Sequence, residues 1–541
     1  MRNIIFALLC LLLISSSFAA PPQPVRQCAE WEPVEGVLIR WPLGISLPLV
    51  AEMSEDVIVY TLIRDYQINQ ATSAYYNNGV NMDNVEWVLA DTYSHWTRDW
   101  GPQFVFDGNG DWGLGDPLFD GYPWVGRRGT SRGWEQDDDS NGEFASYLGV
   151  SNWEAPIVLT GGNHMTDGHG IGFCTQVQLD ENNDWGISEA AWRTGLAQYF
   201  GIHDERVLPN WESYGIQHID CVAKMLDEET ILCKRLASGH SDYWAVEALV
   251  DELAAQTSCY GNPYRILRID CGPFGGVAPA YTNSLILGKK VLLPFEGISQ
   301  DAAAAQVYAE AMPGYEVIGF TGSWYDYDAL HCRTMGVFDR GMLYVDVAPP
   351  PAEIPLAPWP VRAFIDDRSE AGLDYSACSL FWRRAGEAFF NEVPLMPMAA
   401  PDSLEAYIPG TEPGAEIEYY VQGADNSGRV ETRPIAAPDA LFSTRVDEDP
   451  TSVDVPIVEP RLVAWPNPFR GKVRFTLRGS DPVAEIDIYD LTGRHITTIP
   501  QGESMSWDGR HSSGQEASAG VYLYHSTIPG NSSLQKILML D

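Results

Sequence analysis

Positive charge is scarce in this chain: 34 lysines and arginines face 74 aspartates and glutamates, a formal net charge of −40. Such a surface repels phosphate, which excludes nucleic acid as the expected partner, and it draws cationic ligands at long range. Acidity on this scale also keeps an exported protein soluble. Long apolar runs are equally scarce. The one near the start, Ile4 to Ile14, is too short for a bilayer, which takes about 20 residues, and no later run approaches that length. No transmembrane segment is therefore expected in the mature chain. CxxC and HExxH spacings are missing, so no metal and no cofactor are expected. Asp107-Gly108-Asn109-Gly110-Asp111 alternates oxygens as a calcium loop does, but its twelfth position would be Leu118, which offers no ligand. A hairpin turn is the expectation there, and a solvated loop at Asp137-Asp138-Asp139.

Residues 1–19 carry Arg2, the apolar run and a small-residue cleavage site at Ser17-Phe18-Ala19. That is the pattern of a secretory signal peptide, with the mature chain starting near Ala20. Of nine cysteines, Cys10 falls in this leader. In an oxidising compartment some of the rest are expected in disulfides, with the pairing not fixed by sequence. A chain of 541 residues exceeds one hydrophobic core, so two to four domains are expected.

Over the first 350 residues, short β-rich runs bounded by Gly, Asn, Asp and Pro alternate with helical candidates. The runs include Val37 to Trp41, Val57 to Ile63, Phe104 to Phe106, Tyr264 to Ile269 and Met342 to Val347. Ser188 is a cap for a helix to Phe200 before Gly201, Ser241 for one through about Ala255, and Ala302 to Met312 stops at Pro313-Gly314. The fold class is α/β.

Chemistry-bearing residues gather at turns that follow strands. Trp96-Thr97-Arg98-Asp99-Trp100-Gly101-Pro102 is one such segment and Thr160-Gly161-Gly162-Asn163 another. His218-Ile219-Asp220, read as extended, places two polar side chains on one face. Tyr281-Thr282-Asn283 and His331-Cys332 complete the set. Taken singly, Asp99 reads as a turn residue, His218 as a core histidine, Asp220 as a structural acceptor and Cys332 as a small buried hydrophobe. Taken together, a thiol, an imidazole and two carboxylates suit chemistry on a cation, in which carboxylates hold it, thiolate attacks and imidazole moves protons. A cysteine protease would use Cys332, His218 and Asn283 but leaves Asp99 and Asp220 without a role.

Thr97-Arg98-Asp99, Gly161-Gly162-Asn163, His218-Ile219-Asp220-Cys221, Tyr281-Thr282-Asn283-Ser284 and Ala329-Leu330-His331-Cys332-Arg333-Thr334 resemble, in order, the motifs of the guanidino-group-modifying superfamily. Within it the chain is most similar to secreted bacterial peptidylarginine deiminases of the agmatine-deiminase-like branch. The resemblance implies a pentein domain over 20–350, a five-bladed pseudo-symmetric α/β propeller. It also implies hydrolysis of peptidyl-arginine to peptidyl-citrulline and ammonia. Cys332 is then the nucleophile, His218 the acid and base, Asp99 and Asp220 the guanidinium holders, and Asn283 a residue that orients the cysteine segment. Trp96 is a candidate wall for the substrate's aliphatic stem. Arg127, Arg128 and Arg132 are candidates for recognising a peptide backbone or terminal carboxylate, with Tyr214 also on the substrate side. Arginine-containing peptides or proteins are the implied partners. A small-molecule deiminase acting on agmatine or free arginine stays open, as does a non-catalytic surface adhesin.

Pro349-Pro350-Pro351 marks a boundary. Beyond it, 359–443 reads as an immunoglobulin-like sandwich, 444–460 as an acidic linker, and 461–541 as a second small β-sandwich. This last unit resembles a type IX secretion sorting domain, which implies the secretion machinery as a partner. Export through the periplasm to the medium or the outer cell surface is the expected location.

Overall fold

The computed structural model describes residues 20–122, 134–212, 215–325, 328–447, 461–465, 469–478, 485–491, 493–500, 505–526 and 535–540. The expected leader 1–19 and most of the linker, 448–460, lie outside the described residues. The chain forms two compact units. One runs to Val307 and resumes over Val317–Phe338; the other comprises Tyr308–Glu316 and the chain from Asp339 onward.

The first unit repeats one pattern five times. A single turn bearing a sequence motif leads into a short strand, which pairs with the next; a helical segment follows, then a third strand. The turn Thr97–Trp100 precedes Gln103–Phe106, Trp112–Leu118 and Ser151–Val158. Gly161–Asn163 precedes Met165–Thr166, Ile171–Thr175 and Asp204–Leu208. Ile219–Cys221 precedes Ala223–Met225, Thr230–Arg235 and Arg265–Asp270. In these three sheets the first pair is antiparallel and the second parallel. The turn at 281–283 leads into Leu285–Leu287, Lys290–Phe295 and Glu316–Thr321. His331–Arg333 leads into Met335–Phe338, which closes the ring of connections by pairing antiparallel with Val34–Arg40 near the start of the chain. Val34–Arg40 then pairs in parallel with Ile58–Ile63, and that strand with Val85–Leu89. The five motif turns thus occupy equivalent places in five sheets.

The strands are buried runs of Val, Ile, Leu and Phe, as two-sided sheets require. Ser188 does cap its helix, accepting from the Ala191 N–H at 3.3 Å. The helix Glu189–Gly195 widens into a π turn over Leu196–Phe200 and stops at Gly201 in the left-handed region. The hairpin at 107–111 is also as expected, Asp107 Oδ1 accepting from the Asn109 and Asp111 N–H groups.

Four readings are corrected. Asp137 to Asp139 are not a solvated loop but part of the helix Trp134–Leu148, where Asp137 is buried and accepts from the Tyr93 and Ser94 N–H groups. Tertiary donors outweighed the low apolar content of that segment. Ser241 is not the cap of the next helix, which spans Tyr243–Ala254 with Asp242 at its N-cap. His218 to Asp220 is not extended throughout, because Ile219–Cys221 forms a turn of 3-10 helix. Finally, all eight described cysteines are free thiols, against the expectation of disulfides.

In the second unit, sheets containing Trp359–Asp367 with Ser403–Ile408, and Ser379–Arg384 with Glu416–Ala424, enclose one apolar core that includes Val361, Ile365, Leu380, Ile417 and Tyr419. Further sheets beyond residue 460 share a separate core around Phe469, Ile486, Ile488, Trp507 and Ile537. Among the described residues no helix is long and apolar enough to cross a membrane.

Candidate active site

Cys332 sits in the middle of its turn and is fully buried. Asn283 holds it from two directions. Its Oδ1 accepts from the backbone N–H of Cys332 at 3.2 Å and of Ala329 at 3.0 Å, while its Nδ2 donates to Sγ at 3.2 Å. On its other side the thiol donates to Asp220 Oδ2 at 3.4 Å. Burial pushes the Cys332 thiol up to about 12; a hydrogen bond with Cys221 works the other way, and the charges of Asp220, Asp328 and Asp99 add to the rise. The surroundings of Cys332 thus favour the neutral thiol over the thiolate.

Asp99, on the turn Thr97–Trp100, accepts from the Tyr122 hydroxyl at 2.5 Å and from the Gly162 N–H at 3.2 Å. His218 Nδ1 stands 3.4 Å from Asp99 Oδ1, at ion-pair distance but without hydrogen-bond geometry. Burial disfavours the imidazolium, yet Asp99, then Asp220 and Glu181, outweigh burial and raise His218 to about 9. Burial lifts the Asp99 carboxyl above its ordinary value in spite of His218 and Tyr122. For Asp220, burial is outweighed by the hydrogen bond and charge of His331 and the charge of His218, so it lies below its ordinary value. Two carboxylates of one site are thus pushed in opposite directions by their surroundings.

Gly162 explains how these groups come so close. A Cβ at this position would lie 2.3 Å from Asp99 Oδ1, 2.9 Å from His218 Nδ1 and 3.2 Å from Asp220 Oδ2. The glycine leaves the three side chains room to converge. Its neighbour Asn163 links two turns, with Oδ1 accepting from the Ile219 and Thr175 N–H groups at 3.1 Å each.

A second carboxylate stands behind the first. His331 Nδ1 meets Asp220 Oδ2 at 2.8 Å and its Nε2 meets Glu30 Oε2 at 3.0 Å. Glu30 Oε1 also accepts from Lys224 Nζ and from the Ile286 N–H. Trp96 donates from Nε1 to Asp328 Oδ2 at 2.8 Å, and Asp328 is held by Arg333 through Nε at 2.9 Å and Nη2 at 3.1 Å. The Trp96 ring meets Tyr122 edge-on at 5.2 Å, and the Tyr122 ring lies 6.1 Å from that of His218. These rings form an aromatic wall beside the carboxylates. Asp220, Cys221 and Cys332 also present one oxygen and two sulfurs within 4.8 Å of one another, a donor set of the kind a soft metal ion takes.

Cys332, Asp220 and Asn283 are joined by direct contacts, as are Asp99 and His218, and the Gly162 position touches Asp99, His218 and Asp220 together. Arg127, Arg128, Arg132 and Tyr214 lie outside the described residues. Sequence reasoning missed Tyr122 and Glu30, and gave His331 and Gly162 no role of their own.

A family model for Porphyromonas-type peptidyl-arginine deiminase matches residues 26–337, which span all five motif turns. The chain belongs to the Porphyromonas-type peptidyl-arginine deiminase family. A relative from Vibrio parahaemolyticus that carries an agmatine deiminase name is 24% identical over 335 residues, covering 54% of this chain and 89% of that one. Among solved structures, the agmatine deiminase of Enterococcus faecalis aligns with a TM-score of 0.51 and 21% identity, covering 59% of this chain and 98% of that one. A Porphyromonas gingivalis structure carrying an arginine deiminase name gives 0.50 and 22%, covering 58% and 98%. The first unit accordingly has the pentein-like fold of these deiminases. As a member of the family the chain is a guanidino-group deiminase, a hydrolase of C–N bonds.

Proposed function

We propose that the chain converts peptidyl-arginine to peptidyl-citrulline and ammonia through a covalent thiouronium on Cys332. The observation that carries this reading is the convergence of Asp99, His218 and Asp220 on one point, with the Cys332 thiol in contact with Asp220. A guanidinium is planar, cationic and rich in donors, and two buried carboxylates can receive it. Its arrival supplies the positive charge that the Cys332 surroundings lack, so the thiol loses its proton to solvent when substrate binds. Cys332 Sγ then bonds to the guanidinium carbon. His218 is raised to about 9 and is protonated at neutral pH. Its Nδ1 faces Asp99, which leaves Nε2 to give a proton to the departing nitrogen as the C–N bond breaks and ammonia leaves. Neutral His218 next takes a proton from water, the water oxygen bonds to carbon, and the C–S bond breaks, the departing sulfur taking the proton that the protonated ureido product sheds.

Peptide rather than agmatine is favoured by the family whose model matches, and by Arg127, Arg128 and Arg132, which follow Tyr122 in the chain. The names of the relatives favour agmatine instead. A panel of C-terminal-arginine peptide, internal-arginine peptide, free arginine and agmatine separates the readings, with Cys332→Ala as control. Faster turnover of agmatine than of every peptide would refute the peptide reading, and an active Cys332→Ala would refute the mechanism. A preference for C-terminal arginine fails if the internal-arginine peptide is converted equally well. Trp96, in the aromatic wall, is proposed to line the arginine stem. The leader 1–19, an immunoglobulin-like 359–443 and a sorting unit 461–541 are proposed to serve export to the cell surface. Deleting 461–541 should then leave the protein unexported, as fractionation would show.

A further inference from the structure

Beside the nucleophile stands a second thiol for which the reaction has no use. Cys221 closes the turn Ile219–Cys221 and is as fully buried as Cys332. Its Sγ donates to Asp220 Oδ1 at 3.3 Å, while the Cys332 thiol donates to Asp220 Oδ2 at 3.4 Å. One carboxylate thus lies against two sulfurs from two different turns, and an oxygen and both sulfurs fall within 4.8 Å of one another. Among the described residues no other three His, Cys, Asp or Glu side chains bring their donor atoms so close. The spacing is what a metal needs. Tetrahedral zinc, with bonds of about 2.3 Å to sulfur and about 2.0–2.2 Å to oxygen, sets a sulfur and an oxygen ligand roughly 3.5 Å apart. Both S–O contacts already stand near that separation, so an ion entering among them calls for little movement. Outer partners are in place too: His331 Nδ1 lies 2.8 Å from Asp220 Oδ2, and Asn283 Nδ2 lies 3.2 Å from Cys332 Sγ. Hydrogen bonds of this kind orient the ligands of bound metals.

We propose that Asp220, Cys221 and Cys332 bind one zinc ion, which blocks the site reversibly. On binding, both thiols release their protons to solvent as two Zn–S bonds and one Zn–O bond form. Water takes the fourth position, as in other sites with three protein ligands. Neither sulfur changes oxidation state, so a chelator undoes the step. Thiolate ligands select zinc over the hard cations magnesium and calcium. The guanidinium needs the same Cys332 sulfur and the same Asp220 carboxylate, so ion and substrate exclude one another. The effect on turnover rests on the proposed part of Cys332 in the reaction, whereas the binding is a property of the three donors alone.

The test keeps the full chain under argon with a phosphine reductant and titrates Zn²⁺ during turnover. Inhibition should be competitive with the guanidino substrate and relieved by a chelator. Loss of an outer hydrogen-bond partner costs a bound metal about 10–100-fold in affinity. Cys221→Ala removes a ligand itself and should raise the zinc inhibition constant about 100-fold or more, with Cys221→Ser carrying the comparison if the alanine variant does not fold. Co²⁺ gives a readout that needs no turnover. The parent should show sulfur-to-cobalt charge-transfer absorption, about half as intense in Cys221→Ala and in Cys332→Ala, since each keeps one thiolate. Non-competitive inhibition, a zinc constant unchanged in the Cys221 variants, or cobalt without charge-transfer absorption would each overturn the proposal. So would activity regained through the reductant instead of the chelator, which would assign the block to a Cys221–Cys332 disulfide. An active Cys332→Ala would refute the thiouronium mechanism, and the cobalt spectra would still decide the metal site.

Discussion

Gly162→Ala tests the geometry of the site more sharply than removal of any charged group. The added methyl would sit 2.3 Å from Asp99 Oδ1, where ordinary contact begins at 3.4 Å, a shortfall of about 1 Å. His218 Nδ1, at 2.9 Å, must also retreat. Asp99 has little freedom to move, because its other oxygen is held by Tyr122 at 2.5 Å. The variant must therefore shift the carboxylate, turn the imidazole or displace the Gly161–Asn163 turn. A misplacement of about 1 Å in a positioned group costs on the order of 10²-fold in rate. Overpacking of this kind costs about 1–3 kcal/mol of stability. The assay is kcat/KM for ureido formation alongside urea unfolding. A fall of about 100-fold with the fold retained is the expected result. The loss should also be non-additive. In an Asp99→Ala background the methyl has its tightest neighbour removed, so Gly162→Ala should add much less than it does alone. Activity within threefold of the parent, or full additivity with Asp99→Ala, would refute the view that Gly162 is glycine to let these groups converge.

Three further outcomes follow from the same contacts. Asn283→Ala leaves the Cys332 and Ala329 N–H groups without their acceptor and should lower stability by about 1–3 kcal/mol, with a fall in kcat larger than the rise in KM. With His218 raised to about 9, kcat/KM should decline above that pH as the acid is lost, a limb missing from His218→Asn. Because this folded value lies above the unfolded one near 6.5, the stability His218 contributes is complete below 6.5 and is lost as pH climbs through about 9. Unfolding midpoints across that range should show the slope in the parent and not in the variant. Glu30→Gln removes the partner of buried Lys224 and of His331 Nε2, and should cost about 3–5 kcal/mol in urea unfolding; an unchanged midpoint would show that this array does not hold the turns together.

What was legible in the sequence was what local chemistry dictates. Strands could be read because Val, Ile and Leu runs end at Gly and Pro, and motif residues could be read because each sits in its own turn. Of the helices missed, Gln176–Asp184 among them, two were missed for a physical reason. Ile68–Asn77 buries only Ala71 and Tyr75, and Trp134–Leu148 holds three consecutive aspartates and a glycine, so neither shows a broad apolar stripe. A third, Leu47–Asp56, begins with Pro48 in its first turn, a signal that was present and not used. In the site, Glu30 was beyond reach because it meets His331 across 301 residues of sequence. Tyr122 was hidden because a tyrosine before a Pro-Trp pair carries no mark of the carboxylate it will meet. His218 and Asp220 were rightly paired for the wrong reason: a tight turn brings them together, not strand alternation.

The neutral thiol ties the acidity of the pocket to the choice of substrate. Asp220, Asp99 and Asp328 all disfavour a thiolate at Cys332, so a neutral electrophile meets an unreactive sulfur, whereas a cation compensates those charges as it binds. The ureido product is neutral, so it loses the carboxylates' hold and removes the charge that kept the thiol ionised. Release and return of the proton are then one event. Two alkylating agents of matched size, chloroacetamidine and chloroacetamide, separate this account from one with a preformed thiolate. At pH 7 the amidinium should inactivate the enzyme at least 100-fold faster per mole, and free agmatine or arginine peptide should protect against it. Equal rates would mean that Cys332 is ionised before any cation arrives, and that its buried carboxylate neighbours do not set its reactivity.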